Sequence, residues 1–84
     1  MEITGKVVLI GQTESVGQNG FTKRLLVVET AEQYPQKLPI DFVKDKTSLL
    51  DNIQIGQDVK VQINLRGSES NSRWYLQAQG WKIE

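Results

Sequence analysis

Apolar and polar residues alternate most cleanly over 57–67, where Val59, Val61, Ile63 and Leu65 stand against Lys60, Gln62, Asn64 and Arg66. A period of two puts the first set on one side of a strand and the second on the other, so this segment reads as half buried and half wet. The same pattern recurs in LPIDFVK (38–44), with Leu38, Ile40 and Phe42 facing one way and Pro39, Asp41 and Val43 the other. Pro39 has no N–H to give a ladder, which makes this strand short and edge-like. In FTKRLLVVET (21–30) Leu26 and Val28 take the core side, while Lys23, Leu25 and Val27 face outward. Residues 2–13 form a long apolar run broken by Gly5 and Gly11, glycines that mark a bulge or a tight bend in a first strand. RWYLQAQGWKIE (73–84) supplies the last strand.

The segments between them are polar. ESVGQNG (14–20) carries the Asn19-Gly20 pair of a hairpin turn and reads as the loop between the first two strands. AEQYPQK (31–37) is a turn around Pro35, and GSESNS (67–72) is a second polar loop. In DKTSLLDNIQIG (45–56) Leu49, Leu50 and Ile53 recur at helical spacing, which predicts a short helix capped at its start by Thr47 or Asp45. The order is β-β-β-α-β-β. Five strands from 84 residues leave costly open edges unless the sheet closes, as small Greek-key barrels do. A helix between strands three and four is the OB-fold arrangement. The predicted fold is therefore an all-β, five-stranded OB-fold barrel over a single domain, 1–84.

Composition agrees with strands, since eight Val and seven Ile stand against two Ala. A chain of this length buries only about 60% of its unfolded surface, and without cysteine no disulfide assists. The lack of His and Cys removes imidazole and thiolate, and with them the usual zinc ligands, the commonest general base and the strongest nucleophile. Asp41, Asp45, Asp51 and Asp58 have no metal-loop spacing, and no Gly-rich phosphate loop is present. The expectation is a protein that is not an enzyme and needs no cofactor. No apolar stretch is long enough to span a bilayer, and the N-terminus lacks a signal-peptide pattern, so no membrane partner and a cytoplasmic location are expected.

Four segments carry a resemblance: MEITGKV (1–7), LVVETAEQYPQK (26–37), IGQDVKV (55–61) and SRWYLQAQGWKIE (72–84). They resemble a small bacterial family of uncharacterised single-domain OB-fold proteins, similar to single-stranded-DNA-binding protein and primosomal replication protein B. The likeness covers essentially the whole chain. It implies an OB-fold with single-stranded DNA as ligand. Within it, Leu26-Val27-Val28 matches a core-facing pair split by an outward residue, and Lys23 and Arg24 match basic residues just before that pair. Val43 stands where relatives often have an aromatic residue, which shrinks the implied stacking platform.

OB-folds bind oligonucleotides on the face of strands two and three and with the loops joining strands one to two and four to five. Sequence-tolerant binding needs cations for phosphates and flat rings for bases. The candidate nucleic-acid-binding residues are Phe21, Lys23, Arg24, Tyr34, Lys37, Arg66, Arg73 and Tyr75. Arg66 and Arg73 bracket one short loop, and residues 60–75 hold Lys60, Arg66 and Arg73 against Glu69 alone. Trp74, Trp81 and Phe42 are expected in the core, because a small barrel needs bulky fillers. Lys44 and Lys46 read as solvated charges.

Ten Lys and Arg balance ten Asp and Glu, so the net charge is zero. A lone neutral domain binds a polyanion weakly, and joined copies gain by avidity. A homo-oligomer, a dimer or higher, is therefore expected, with outward Leu25, Val27 and Val43 either forming its interface or lining the groove. The expected partner is single-stranded DNA or RNA. The rival is an OB-fold protein-interaction module that touches no nucleic acid.

Overall fold

The computed structural model describes residues 1–17 and 20–84. Its strands are β1 (Glu2–Ile10), β2 (Glu14–Val16), β3 (Phe21–Thr30), β4 (Lys37–Val43), β5 (Asp58–Ser70) and β6 (Arg73–Ile83), with a 3₁₀ helix over Lys44–Leu50 between β4 and β5. They hydrogen-bond in the order β1-β5-β6-β4-β3-β2, and β1 pairs with β3 as well. Five strands thus close into a ring, and β2 is appended to β3. This is the OB-fold barrel with one added three-residue strand.

Closure depends on β1 serving two neighbours. Glu2–Lys6 pairs with Asp58–Gln62 of β5, while Gly5–Ile10 pairs with Leu26–Thr30 of β3, with a bulge between Val7 and Leu9. Gly5 lies in both ladders, and a Cβ there would collide with the Glu29 carbonyl, so the ring closes only where the side chain is missing. At the far seam β4 and β6 run parallel and meet at Asp41 and Gln79. The core is Val7, Leu26, Val28, Ile40, Phe42, Leu50, Val59, Val61 and Ile63. Phe42 is fully buried and lies against Gly80, where a Cβ would overlap its ring. The alternation read from the sequence places Leu26, Val28, Ile40, Phe42, Val59, Val61 and Ile63 inside, as observed.

Several expectations change. The 67–72 loop does not exist as a loop: β5 runs to Ser70, β6 starts at Arg73, and only Asn71 (φ 53) and Ser72 (φ 65) turn between them. Two consecutive left-handed residues make a type I′ turn, whose twist matches the strands on either side. The hairpin therefore extends past the barrel rim, and Leu65, on the core side of β5 by alternation, is 47% exposed because the ring has ended beneath it. Trp74 (78% exposed) and Trp81 (45%) are not core residues. Trp74 sits near the hairpin tip opposite Glu69, and Trp81 is the unpaired residue where the β5–β6 register shifts. Phe42 alone of the three aromatics fills the core.

The helix begins at Lys44, one residue before the predicted segment, is of the 3₁₀ type, and ends at Leu50. Leu50 plugs the barrel end, Leu49 is exposed and Ile53 packs from beyond the helix. Neither Asp45 nor Thr47 caps it: the N-cap is Val43, with no side-chain bond, and the Thr47 hydroxyl donates to the Lys44 carbonyl instead. The first strand stops at Ile10 rather than running to 13, and Glu14–Val16 pairs with Phe21–Lys23 where a loop was expected. The predicted Asn19-Gly20 turn lies partly outside the described residues. Among the described residues, no helix is long and apolar enough to cross a membrane.

Candidate nucleic-acid interface

Cross-strand partners in an antiparallel pair point to the same side of the sheet, so the register tells which side chains share a face. On the outside of β3 and β4 lie Lys23 with Val43, Leu25 with Asp41, Val27 with Pro39 and Glu29 with Lys37. The outer face continues through the Asp41–Gln79 seam onto β6 and β5. There it carries Gln79 with Asn64, Gln77 with Arg66, Tyr75 with Ser68 and Arg73 with Ser70. Side-chain bonds tie the two halves together: Gln77 Nε2 donates to Asp41 Oδ2 at 2.6 Å, and Gln79 Nε2 donates to Gln77 Oε1 at 3.1 Å. One curved surface thus runs diagonally from Lys23 to the hairpin tip, across a molecule 36 Å in its longest dimension.

Charge is uneven along this surface. Lys23 is opposite Glu14 of β2, and Lys37 is opposite Glu29 of β3, so each of these cations has a carboxylate in the facing position. Arg66 and Arg73 face Gln77 and Ser70, which are neutral. Among the described residues neither arginine makes an ion pair. Tyr75 lies between them, two positions from Arg73 along β6 and across from Ser68, itself two from Arg66 along β5. Tyr75 is half exposed, at 52%. Two uncompensated guanidinium groups around one accessible ring form the most cationic part of the face.

The remaining sequence candidates fall elsewhere. Arg24 is on the inner side of β3, turned toward the 3₁₀ helix. Its Nε donates to the Gly11 carbonyl at 2.9 Å, and one terminal nitrogen donates to Asp51 Oδ1 at 2.7 Å and to the Thr47 carbonyl at 3.4 Å. With only 18% of its side chain exposed, it straps the helix to the barrel and has no free fork for a phosphate. Phe21 shares the outer side of β3 with Lys23 by alternation but is half buried, and the Lys44 ammonium stands 5.9 Å from its ring centroid. Tyr34 is 76% exposed in the turn between β3 and β4. Because β4 and β6 run parallel, that turn and the hairpin tip point toward the same end of the molecule.

Two features were missed by sequence reasoning. Asp41 sits in the middle of the face, and its outward direction was legible in the alternation, but its position at the seam was not. A cleft of about 310 Å³ lined by Gly11, Gln12, Glu14, Lys23, Leu25 and Asp41 opens beside it. With two carboxylates and one ammonium it suits hydrogen-bond donors, such as base amino groups, better than phosphates. Trp74 is the other. It is the most exposed aromatic side chain of the hairpin, and it points to the side opposite Tyr75. Among the described residues, no group of three or more carboxylates is placed to hold a metal ion.

The fold is similar to the SSB domain of a Synechococcus sp. protein, with a TM-score of 0.78 at 18% identity, covering 99% of this chain and 90% of that one. It is also similar to the N-terminal domain of PriB from Thermoanaerobacter tencongensis, described as dimeric, with a TM-score of 0.68 at 22% identity, covering 100% and 91%. No curated protein matches the sequence. Residues 2–84 match the family described as DUF3127, a domain of unknown function, and the chain belongs to that family.

Proposed function

We propose that this protein binds single-stranded DNA with little sequence preference, along the outer face of β3 and β4 and up the outer face of the β5–β6 hairpin. The observation that carries the reading is the grouping of Arg66, Tyr75 and Arg73, uncompensated by acids, on a surface continuous with Lys23. The guanidinium groups take neighbouring phosphates, or lie flat on bases, and Tyr75 offers a stacking surface. Gln77, Gln79 and the cleft beside Asp41 present amides and carboxylates to base edges. The fold's likeness to an SSB domain and a PriB domain supports the reading, as does a surface shaped for contact rather than for chemistry: the protein acts as a binding protein, not an enzyme. Presenting or shielding single strands during replication, recombination or repair is the role that fits, in the cytoplasm, and joined copies would hold a strand more tightly than one.

The test is fluorescence anisotropy of a labelled oligo-dT at about 50 and 200 mM salt, with an oligo-rU of equal length beside it. Each phosphate neutralised on a single strand contributes about −0.7 to the slope of log affinity against log salt. Contacts from the two uncompensated arginines, Arg66 and Arg73, therefore give a slope of about −1.4, and the Arg66→Ala/Arg73→Ala double variant should lose nearly all of it while keeping its circular dichroism spectrum. An absence of oligo-dT binding at low salt overturns the proposal in favour of a protein-interaction module. Tighter binding of oligo-rU than of oligo-dT transfers it to RNA.

A further inference from the structure

The β5–β6 hairpin is amphipathic on a segment that has left the barrel. Its outer side carries Arg66, Ser68, Ser70, Arg73, Tyr75 and Gln77, and its inner side carries Leu65, Gly67, Leu76 and Trp74, with one carboxylate, Glu69, opposite Trp74 at the tip. Within the ring, that inner side is covered by the opposite wall. Past the rim it has no second layer, because β1 meets β5 only up to Gln62 and β4 meets β6 only at Gln79. Leu76 is 74% exposed and Trp74 78%. At the foot of the hairpin the same side opens into a groove of about 360 Å³ lined by Met1, Ile3, Leu38, Pro39, Ile63, Leu65, Leu76 and Ala78, all apolar.

We infer that this inner hairpin face and its groove are the contact surface for a second copy of the chain, related by a two-fold axis. A free two-stranded ribbon is marginal in water, and stability comes when a second apolar layer covers it. Trp74 and Leu76 project beside a recess on the same face. That arrangement is self-complementary under two-fold symmetry, each copy's projecting side chains filling the other's groove. Met1 (71% exposed), Leu65, Trp74 and Leu76 together expose roughly 500 Å² per copy, so two copies that cover these side chains completely bury on the order of 1,000 Å², the lower bound for a specific interface. The groove lining carries no charge, which disfavours a polyanion or a charged peptide there. A net charge of zero sets no long-range repulsion between copies. This contact lies on the opposite side of the hairpin from Arg66, Arg73 and Tyr75, so two copies joined here keep both cationic faces open. The outward Leu25 and Val43 are left outside the interface, whereas Val27 lies directly across from the groove residue Pro39.

Sedimentation of the full chain without nucleic acid, from about 1 to 200 μM, tests this directly. The expected result is a rise from the 9.5 kDa monomer toward twice that mass. Leu76→Glu and Trp74→Glu alter exposed positions, so each should keep the native circular dichroism spectrum while weakening self-association at least about thirty-fold. Val43→Glu, on the outer face and paired with Lys23 rather than with a groove residue, should leave the dimer intact. A wild-type chain that stays monomeric across the range overturns the inference, as do both hairpin variants remaining dimeric, or Val43→Glu alone dissociating. The Arg66→Ala/Arg73→Ala variant separates the two proposals. It should still dimerise, so loss of oligo-dT binding with an intact dimer bears on the outer face, and loss of the dimer in Leu76→Glu bears on the inner one.

Discussion

Replacing Arg24 with alanine distinguishes a strap from a nucleic-acid contact. Sequence alone groups Arg24 with Lys23, whereas the structure commits its guanidinium to Gly11, Thr47 and Asp51. Three terms set the cost. The Gly11 carbonyl loses a charged donor at 2.9 Å in a partly buried setting, worth about 1 kcal/mol. The ion pair adds less than its 2.7 Å length suggests, because Asp51 is 64% exposed and screened by water, so about 0.5–1 kcal/mol is appropriate. The 3.4 Å contact to Thr47 adds little. The sum is about 1.5–2 kcal/mol. For a domain of this size each kcal/mol moves Tm by about 4–8 °C, so Arg24→Ala should melt roughly 6–16 °C below wild type. Asp51→Asn removes only the screened ion pair and should cost less than about 1 kcal/mol. Thermal melts followed by circular dichroism measure both, and oligo-dT titration well below the melting range should find the affinity of Arg24→Ala unchanged. A variant with wild-type Tm but an affinity reduced as far as in Arg66→Ala/Arg73→Ala would refute the assignment and return Arg24 to the phosphate contacts.

Three further outcomes are expected. Asp41→Asn removes a negative charge from the middle of the binding face while keeping a carbonyl for Gln77, so low-salt affinity for oligo-dT should rise about three- to ten-fold, as read by anisotropy. Gly80→Ala pushes a methyl into the Phe42 ring and should cost about 1–3 kcal/mol in urea unfolding, part of which Phe42→Leu in the same chain should recover. Ser72→Gly relieves a left-handed residue in the hairpin turn and should stabilise by about 0.5–1 kcal/mol, with no change in oligo-dT affinity.

The strands, their inward and outward sides, and the closed five-stranded arrangement are legible in the residue pattern. At Ile40, Phe42, Val59, Val61 and Ile63 the alternation is clear enough to name the core, while in the poorly alternating run Leu25–Val28 the two-residue period alone assigns Leu26 and Val28 to it. The site is only partly legible. Arg66, Tyr75 and Arg73 share one side of the hairpin because their spacing and pairing put them there, but Lys23 and Arg24 are adjacent in sequence and part company in space, one facing outward and the other bound to Asp51. The period of two already sends neighbours to opposite sides and gives Arg24 the core parity of Leu26 and Val28, but only the position of the 3₁₀ helix over the barrel end decides that its guanidinium finds an internal partner there.

Alternation states which side of each strand is apolar, and that much follows from the chain and its two-residue period. Whether another layer stands over that side depends on where the ring ends. Leu65, Trp74 and Leu76 have the same parity as the buried residues of their strands and differ from them only in lying beyond the last pairing with β1 and β4. Burial is a property of opposing walls, and walls far apart in sequence are brought together only when the barrel closes. The same pattern that fills the core below the rim therefore leaves an indole and two leucines in water above it.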